Sequence, residues 1–257
     1  MFKLSIITVH LNDIEGLAQT QRSLDRILDS GSFEWIVVDG GSIPESDAQM
    51  RLFEKVRNSA TILVSEVDHG IYDAMNKGTR LATGDYVLYL NAGDSLHPDF
   101  DLDRVFHVCE SKKPGMIWGD SWDRNPKGDS YKRKTRKAFW LRYGMAVCHQ
   151  AVFFRRDLLG DAPYDLRYRL AADYELLCRE YRYGSGIEYV HVPVCIFDLV
   201  GESSHNQAET LGEESVIRVE YFGLPAFINR TVVCIKQSLW KFNTKFPRVR
   251  AAWRRWI

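Results

Sequence analysis

The chain of 257 residues contains no C-x-x-C pair. Its five cysteines, Cys109, Cys148, Cys178, Cys195 and Cys234, are odd in number and far apart. That argues against a disulfide framework and against a cysteine zinc site. No uninterrupted apolar run reaches the roughly 18 residues of a membrane span. The start, Met1-Phe-Lys-Leu4, lacks a cleavable signal, so a cytoplasmic, reducing location is expected. Net charge is also missing, with 34 Lys and Arg against 34 Asp and Glu, and nothing global points to nucleic acid as a partner. No internal repeat or low-complexity segment is present. The first apolar run is not followed by G-x-G-x-x-G, which disfavours a dinucleotide oxidoreductase.

What is there suits one large α/β domain or two small ones, since 45% hydrophobic content can bury a substantial core. Charge is unevenly placed. After Glu220 only cations follow: Arg230, Lys236, Lys241, Lys245, Arg248, Arg250, Arg254 and Arg255. Segregation of this kind suggests a tail that meets an anionic surface.

Short β-branched or apolar runs at Leu4-Ser-Ile-Ile-Thr-Val9, Phe33-Glu-Trp-Ile-Val-Val38, Thr61-Ile-Leu-Val64 and Tyr86-Val-Leu-Tyr-Leu90 read as strands. Between them, residues 15–28, 47–56 and 71–81 place apolar side chains at helical spacing. This alternation predicts a mostly parallel, doubly wound, Rossmann-like sheet, in which ligands sit beyond the carboxyl ends of the strands. The residues just after each strand, 10–13, 39–42, 65–70 and 91–95, are accordingly polar or Gly-rich. Further on, Met116-Ile-Trp118 reads as a strand ending at Gly119-Asp120, and 121–137 as a hairpin or mobile loop. Strand-like runs at 152–154 and 188–197, a helix at 174–181 and a helical pattern from Gln207 complete the chain.

Asp39, at the end of the second strand, can hydrogen-bond a nucleobase or ribose, or can open a Gly-rich turn. Asn91-Ala-Gly-Asp94 follows the fourth strand, where an acid can reach a divalent ion bridging two phosphates or can serve a local turn.

Together, Ser5-Ile-Ile-Thr-Val9, Glu34-Trp-Ile-Val-Val-Asp-Gly-Gly-Ser42, Ser65-Glu-x-Asp-x-Gly-Ile-Tyr-Asp-Ala-Met-Asn-Lys-Gly78 and Ala82-x-Gly-Asp-Tyr-x-Leu-Tyr-Leu-Asn-Ala-Gly-Asp94 closely resemble the family 2 glycosyltransferases. The resemblance is closest to the colanic-acid-type exopolysaccharide branch. It is strong over residues 1–100 and thinner to 206.

The resemblance implies an α/β GT-A fold and an inverting, hexosyltransferase-type enzyme. It further implies a UDP- or GDP-linked nucleotide sugar as donor, Mg2+ or Mn2+ as cofactor, and a glycan or polyprenyl-linked glycan as acceptor in bacterial surface polysaccharide synthesis. By the same resemblance Thr8, Asp39, Glu66, Asp68, Asn76 and Lys77 line the donor, and Asp94 binds the metal. Asn91 stands where the family usually has the first acid of D-x-D, which lowers metal affinity or turns the contact to the ribose. Ala171-Ala-Asp173-Tyr-Glu175 matches the segment carrying the general base, assigned to Asp173; the alternative is that Asp173 caps its helix. Cys148-His149-Gln150 matches an H-Q segment beside the donor sugar, with a satisfied core histidine as the alternative. Val200-Gly-Glu-Ser-Ser204 matches G-G-x-S, with Ser203 approaching the diphosphate, and His205 is placed as a metal or phosphate contact.

These assignments divide the chain into a catalytic domain, 1–206, and a helical basic and aromatic tail, 207–257. The catalytic domain has a nucleotide-binding half (1–100) and an acceptor-side half (101–206). The tail interleaves Trp240, Phe242, Phe246, Trp253 and Trp256 with cations. That composition suits peripheral attachment at the inner-membrane surface, the alternative being a docking helix with a solvated cationic face. A nucleotidyltransferase would carry a basic, Gly-rich loop where His10-Leu-Asn-Asp13 stands. A non-catalytic nucleotide-sugar-binding or scaffold protein of the same fold remains the rival to the enzyme.

Overall fold

A computed structural model of the chain describes residues 3–27, 31–125, 127–199 and 206–245. The N-terminal half alternates β1 (Leu4–His10), α1 (Ile14–Leu24), β2 (Phe33–Asp39), α2 (Asp47–Ser59), β3 (Ile62–Ser65), α3 (Ile71–Leu81) and β4 (Tyr86–Tyr89). All seven residues of β1 are buried, as an apolar β-branched run between two helical layers requires. The helices begin where the sequence supplies caps. Asp13 accepts the Gly16 N–H at 2.9 Å and Ser46 Oγ accepts that of Gln49 at 3.2 Å.

The second half contributes β5 (Ser95–Leu96), α4 (Leu102–Lys112), β6 (Met116–Arg124), β7 (Ser130–Arg133), β8 (Val152–Arg155), α5 (Arg156–Leu159), α6 (Ala172–Tyr183), β9 (Ile187–Asp198), α7 (Gln207–Phe222) and α8 (Ala226–Lys245). The strands form one sheet in the order β3-β2-β1-β4-β8-β6-β9-β5, with β7 paired to β6. From β3 to β4 the sheet is parallel, as expected. Beyond β4 it is mixed: β8 is antiparallel to both β4 and β6, and β6 is parallel to β9.

Residues alternate between two cores. Ile7, Val38, Tyr89 and Phe154 face α3, α6 and α7, whereas Ile6, Trp35, Leu88 and Phe153 face α1, α2 and α4.

In the middle of the chain one expectation changes and one open alternative resolves. The strand expected to stop at Gly119 continues to Arg124, because Gly119 permits close approach of β9. A Cβ there would lie 2.3 Å from Val194 Cγ2, at a shift in the β6–β9 register. The charged stretch that follows is a hairpin rather than a mobile loop, its charges pairing across β6 and β7: Lys132 with Asp120 at 2.8 Å and Arg133 with Asp123 at 2.6 Å.

The C-terminal helices are not an independent appendage. Ile217 of α7 lies in the core against α6, and a buried Arg218–Glu214 pair (2.9 Å) with Asn229 (2.8 Å) ties α7 to α8.

Candidate active site

A cleft of about 800 Å³ opens beside the carboxyl end of β4. Asn91 and Gln150 line one side, α3 contributes Tyr72 and Met75, and Asp173 lies at the start of α6. Its far wall comes from α7 and α8, through Leu211, Glu214, Lys236, Leu239 and Trp240. The cleft thus joins residues from both halves of the sheet and from the segment expected to be a tail.

Asp173 does not cap its helix. The N-cap position of α6 is Ala171, which offers no side-chain acceptor. Asp173 is the second residue of the helix, in its first turn, and its Oδ1 accepts the Tyr174 N–H at 2.7 Å and the Tyr72 hydroxyl at 3.3 Å. Burial pushes this carboxyl up to about 6, with the Tyr174 and Tyr72 hydrogen bonds opposing the rise. A carboxylate titrating there is poised to take up a proton near neutral pH.

His149 is a lining residue of the cleft and is also bonded within the core. Its Nε2 shares a hydrogen bond with the Tyr164 hydroxyl at 2.8 Å, and its ring stacks on Tyr89 at 5.4 Å. Burial pushes it down to about 3, so the ring is neutral at physiological pH. Gln150, 7% exposed, accepts the Cys148 thiol at 3.2 Å.

The donor-side residues divide into two groups. Glu66, Asp68 and Lys77 are gathered at the carboxyl end of β3. Lys77 Nζ pins this segment, reaching Glu66 at 2.9 Å and donating to the Val67 carbonyl at 2.8 Å. Asp68 Oδ1 accepts the Gly70 N–H at 2.9 Å, and its other oxygen abuts Gly40 so closely that a Cβ there would stand 2.5 Å away. A side chain at position 40 would have to displace the Asp68 carboxylate.

Thr8, Asp39 and Asn76, by contrast, are turned inward. Thr8 Oγ1 accepts the Trp35 indole N–H at 3.0 Å, and Asn76 exchanges two 2.9 Å hydrogen bonds with the main chain of Tyr164. Asp39 is fully buried and accepts from Ser65 Oγ at 2.6 Å and from the Ser42 N–H at 2.9 Å. The side chains of all three are buried and hydrogen-bonded to protein partners.

Asn91 Oδ1 is buried without a hydrogen-bond partner and lines the cleft. Asp94, 3% exposed, has Oδ1 accepting the Asp198 N–H at 2.9 Å; burial pushes this carboxyl well above the usual carboxylate range, and the Asp198 N–H opposes it. Among the described residues no cluster of three His, Cys, Asp or Glu side chains could hold a metal. Asn91 and Asp94 nevertheless offer hard oxygen donors, which fits a magnesium-like ion that completes its shell from phosphate and water. Ser203 and His205 lie outside the described residues.

Several residues of this site were not singled out by sequence reasoning. Tyr72 is one of them: it stands four residues before Asn76, a visible helical spacing, but nothing local shows that their shared face points to the acceptor half. Tyr164 carries no sequence signal, and Lys236 and Trp240 stand out only as members of the basic, aromatic C-terminal segment.

An α/β GT-A fold with an acid at a cleft beyond its strand ends is the architecture of a nucleotide-sugar-dependent transferase. Residues 5–160 match glycosyl transferase family 2, and the chain belongs to that family. It is a glycosyltransferase. It is 34% identical over 181 residues to the PGL/p-HBAD biosynthesis glycosyltransferase of Mycobacterium bovis (strain BCG / Pasteur 1173P2), covering 68% of this chain and 69% of the relative. It is also 31% identical over 210 residues to an uncharacterized glycosyltransferase of Mycobacterium tuberculosis (strain ATCC 25618 / H37Rv), covering 79% and 78%.

Among solved structures, S. aureus TarS 1-349 in complex with UDP-GlcNAc superposes with a TM-score of 0.66 at 16% identity, over 90% of this chain and 70% of that one. The mannosyltransferase PcManGT from Pyrobaculum calidifontis, in complex with GDP-Man and Mn2+, gives 0.61 at 17% identity over 90% and 68%. These two likenesses concern the fold.

Proposed function

We propose that the enzyme inverts the anomeric centre of a UDP- or GDP-linked sugar while transferring it to a hydroxyl of a glycan or polyprenyl-linked glycan. The proposed setting is bacterial surface polysaccharide synthesis of the exopolysaccharide, colanic-acid type. The observation that carries this reading is the Asp173 carboxylate on the cleft wall, titrating near 6 and held by Tyr72.

Asp173 takes the acceptor hydroxyl proton as that oxygen bonds to the anomeric carbon. The bond from that carbon to the diphosphate oxygen breaks, and the electron pair leaves with the nucleoside diphosphate. Displacement from the opposite face turns an α-linked donor into a β-linked product. Thr8, Asp39, Glu66, Asp68, Asn76 and Lys77 line the donor. His149, neutral, and Gln150 approach the donor sugar. Asn91 and Asp94 would hold a divalent ion, which when bound supplies positive charge opposite the departing diphosphate.

Peripheral membrane contact has support from α8. All its charged residues are cations, and Phe227, Ile235 and Leu239 are 73%, 54% and 52% exposed. No helix among the described residues is long and apolar enough to cross a membrane.

The test is thermal stabilisation and turnover with a panel of nucleotide sugars, with and without Mn2+ or Mg2+. Stabilisation and transfer with one donor class support the proposal; no response to any donor refutes it.

A further inference from the structure

Tyr72 belongs to a sequence segment expected to line the donor, yet its side chain points to the other half of the molecule. It stands in the first turn of α3, behind Gly70, which makes no side-chain capping bond. The hydroxyl meets Asp173 Oδ1 at 3.3 Å across 101 residues of chain, while the ring, 9% exposed, stacks on Tyr164 with centroids 5.3 Å apart and planes inclined at 22°. Tyr164 is itself immobilised. Asn76, one turn further along the same face of α3, holds its N–H and its C=O, and His149 holds its hydroxyl. A stacked ring with so fixed a neighbour has little rotamer freedom, so the hydroxyl is held where the carboxylate lies.

We propose that Tyr72 is a positioning residue for Asp173, fixing the direction in which the carboxylate accepts a proton and widening the pH range over which it stays ionised. The inference rests on reading Asp173 as the base.

Both hydrogen bonds to Asp173, from Tyr72 and from the Tyr174 N–H, fall on Oδ1. Oδ2 receives neither of these two bonds and is the oxygen left for the acceptor proton. Tyr72 stays a neutral phenol able to donate to Asp173, since burial first, and then the Asp173 charge, push its own ionisation far above neutral pH.

The other ionisable groups around Asp173 are accounted for. On α7, Glu214 opposes ionisation of Asp173, but Lys236 of α8 pairs with it; Glu213 is taken up by main-chain N–H groups before α6. Arg169 lies on the cleft wall without a direct bond to Asp173, and Tyr164 and His149 are uncharged. A donated hydrogen bond stabilises the ionised carboxylate, so its loss moves the titration upward.

The test is Tyr72→Phe in the full chain, with two readouts. In infrared difference titrations against Asp173→Asn, the Asp173 carboxyl midpoint should rise by about one pH unit. The acceptor kcat/KM should fall roughly eightfold at pH 5.5 and stay within about twofold of wild type at pH 8.5, with donor KM unchanged. An unmoved midpoint, or a loss equal at every pH, overturns the inference. If Asp173→Asn still transfers sugar, the base assignment fails instead, and the infrared midpoint separately reports whether Tyr72 holds the carboxylate.

Discussion

Glu213 and Ala171, 42 residues apart in the chain, share a 2.8 Å hydrogen bond in which the Glu213 carboxylate accepts the Ala171 N–H. The same carboxylate accepts the N–H groups of Arg169 and Leu170, each at 2.9 Å. Helix α6 has no capping side chain of its own, so a residue of α7 supplies the negative charge that its N-terminus needs. The helix that presents Asp173 therefore depends on the C-terminal segment for its start.

Replacing Glu213 should show this dependence. Glu213→Ala leaves three N–H groups without their acceptor and is expected to cost about 1–3 kcal/mol, a fall of several degrees in Tm in thermal denaturation. Transfer should fall while donor-induced stabilisation persists.

Glu34 anchors the opposite, N-terminal edge of the parallel strands. Burial pushes its carboxyl up, but Lys3 at 2.7 Å, Ser5 at 2.6 Å and Thr83 together pull it down to about 2. A depressed folded-state value means stability that is present above the unfolded value near 4.5 and lost as pH falls through 2. Glu34→Gln should remove about 3 kcal/mol at pH 7 and flatten the loss of stability between about pH 5 and pH 2, measured by urea unfolding across that range.

The parallel half of the sheet was legible because its strands are short, apolar and β-branched, and its turns polar. In the mixed half the strands at 116–118, 152–154 and 188–197 were legible, but their antiparallel order was not, and 121–137 read equally as hairpin or loop until the partner strand pairs Lys132 with Asp120. At the site, Asp173 was visible as an acid opening a helix, but its neighbours were not. Tyr72, Tyr164 and Glu213 reach it from 101, 9 and 40 residues away, distances at which no periodicity speaks. Nor was it visible that Asn76 and Thr8 hold the main chain of Tyr164 and the Trp35 indole, because those contacts are set by burial rather than by local pattern.

Asn91 offers a direct test of the ion site, since its Oδ1 is buried on the cleft wall without a partner. Asn91→Asp adds a charged oxygen there and should tighten Mn2+ binding in the presence of UDP by about tenfold, read by calorimetry. Unchanged or weaker binding would place the ion elsewhere.

His149 should remain neutral across the working range. Burial holds it down to about 3, so its imidazole resonances should not titrate between pH 8 and pH 5 in nuclear magnetic resonance spectra. A group lowered in this way favours folding above its unfolded value near 6.5 and opposes it as pH falls, since the unfolded ring binds the proton first.

The most direct measurement is the transfer rate of Asp173→Asn at saturating donor. If Asp173 is the base, the rate falls by about 10²–10⁴-fold while the donor binds as in wild type. A rate within a few-fold of wild type would contradict the central claim and leave Asp173 as a buried structural acid.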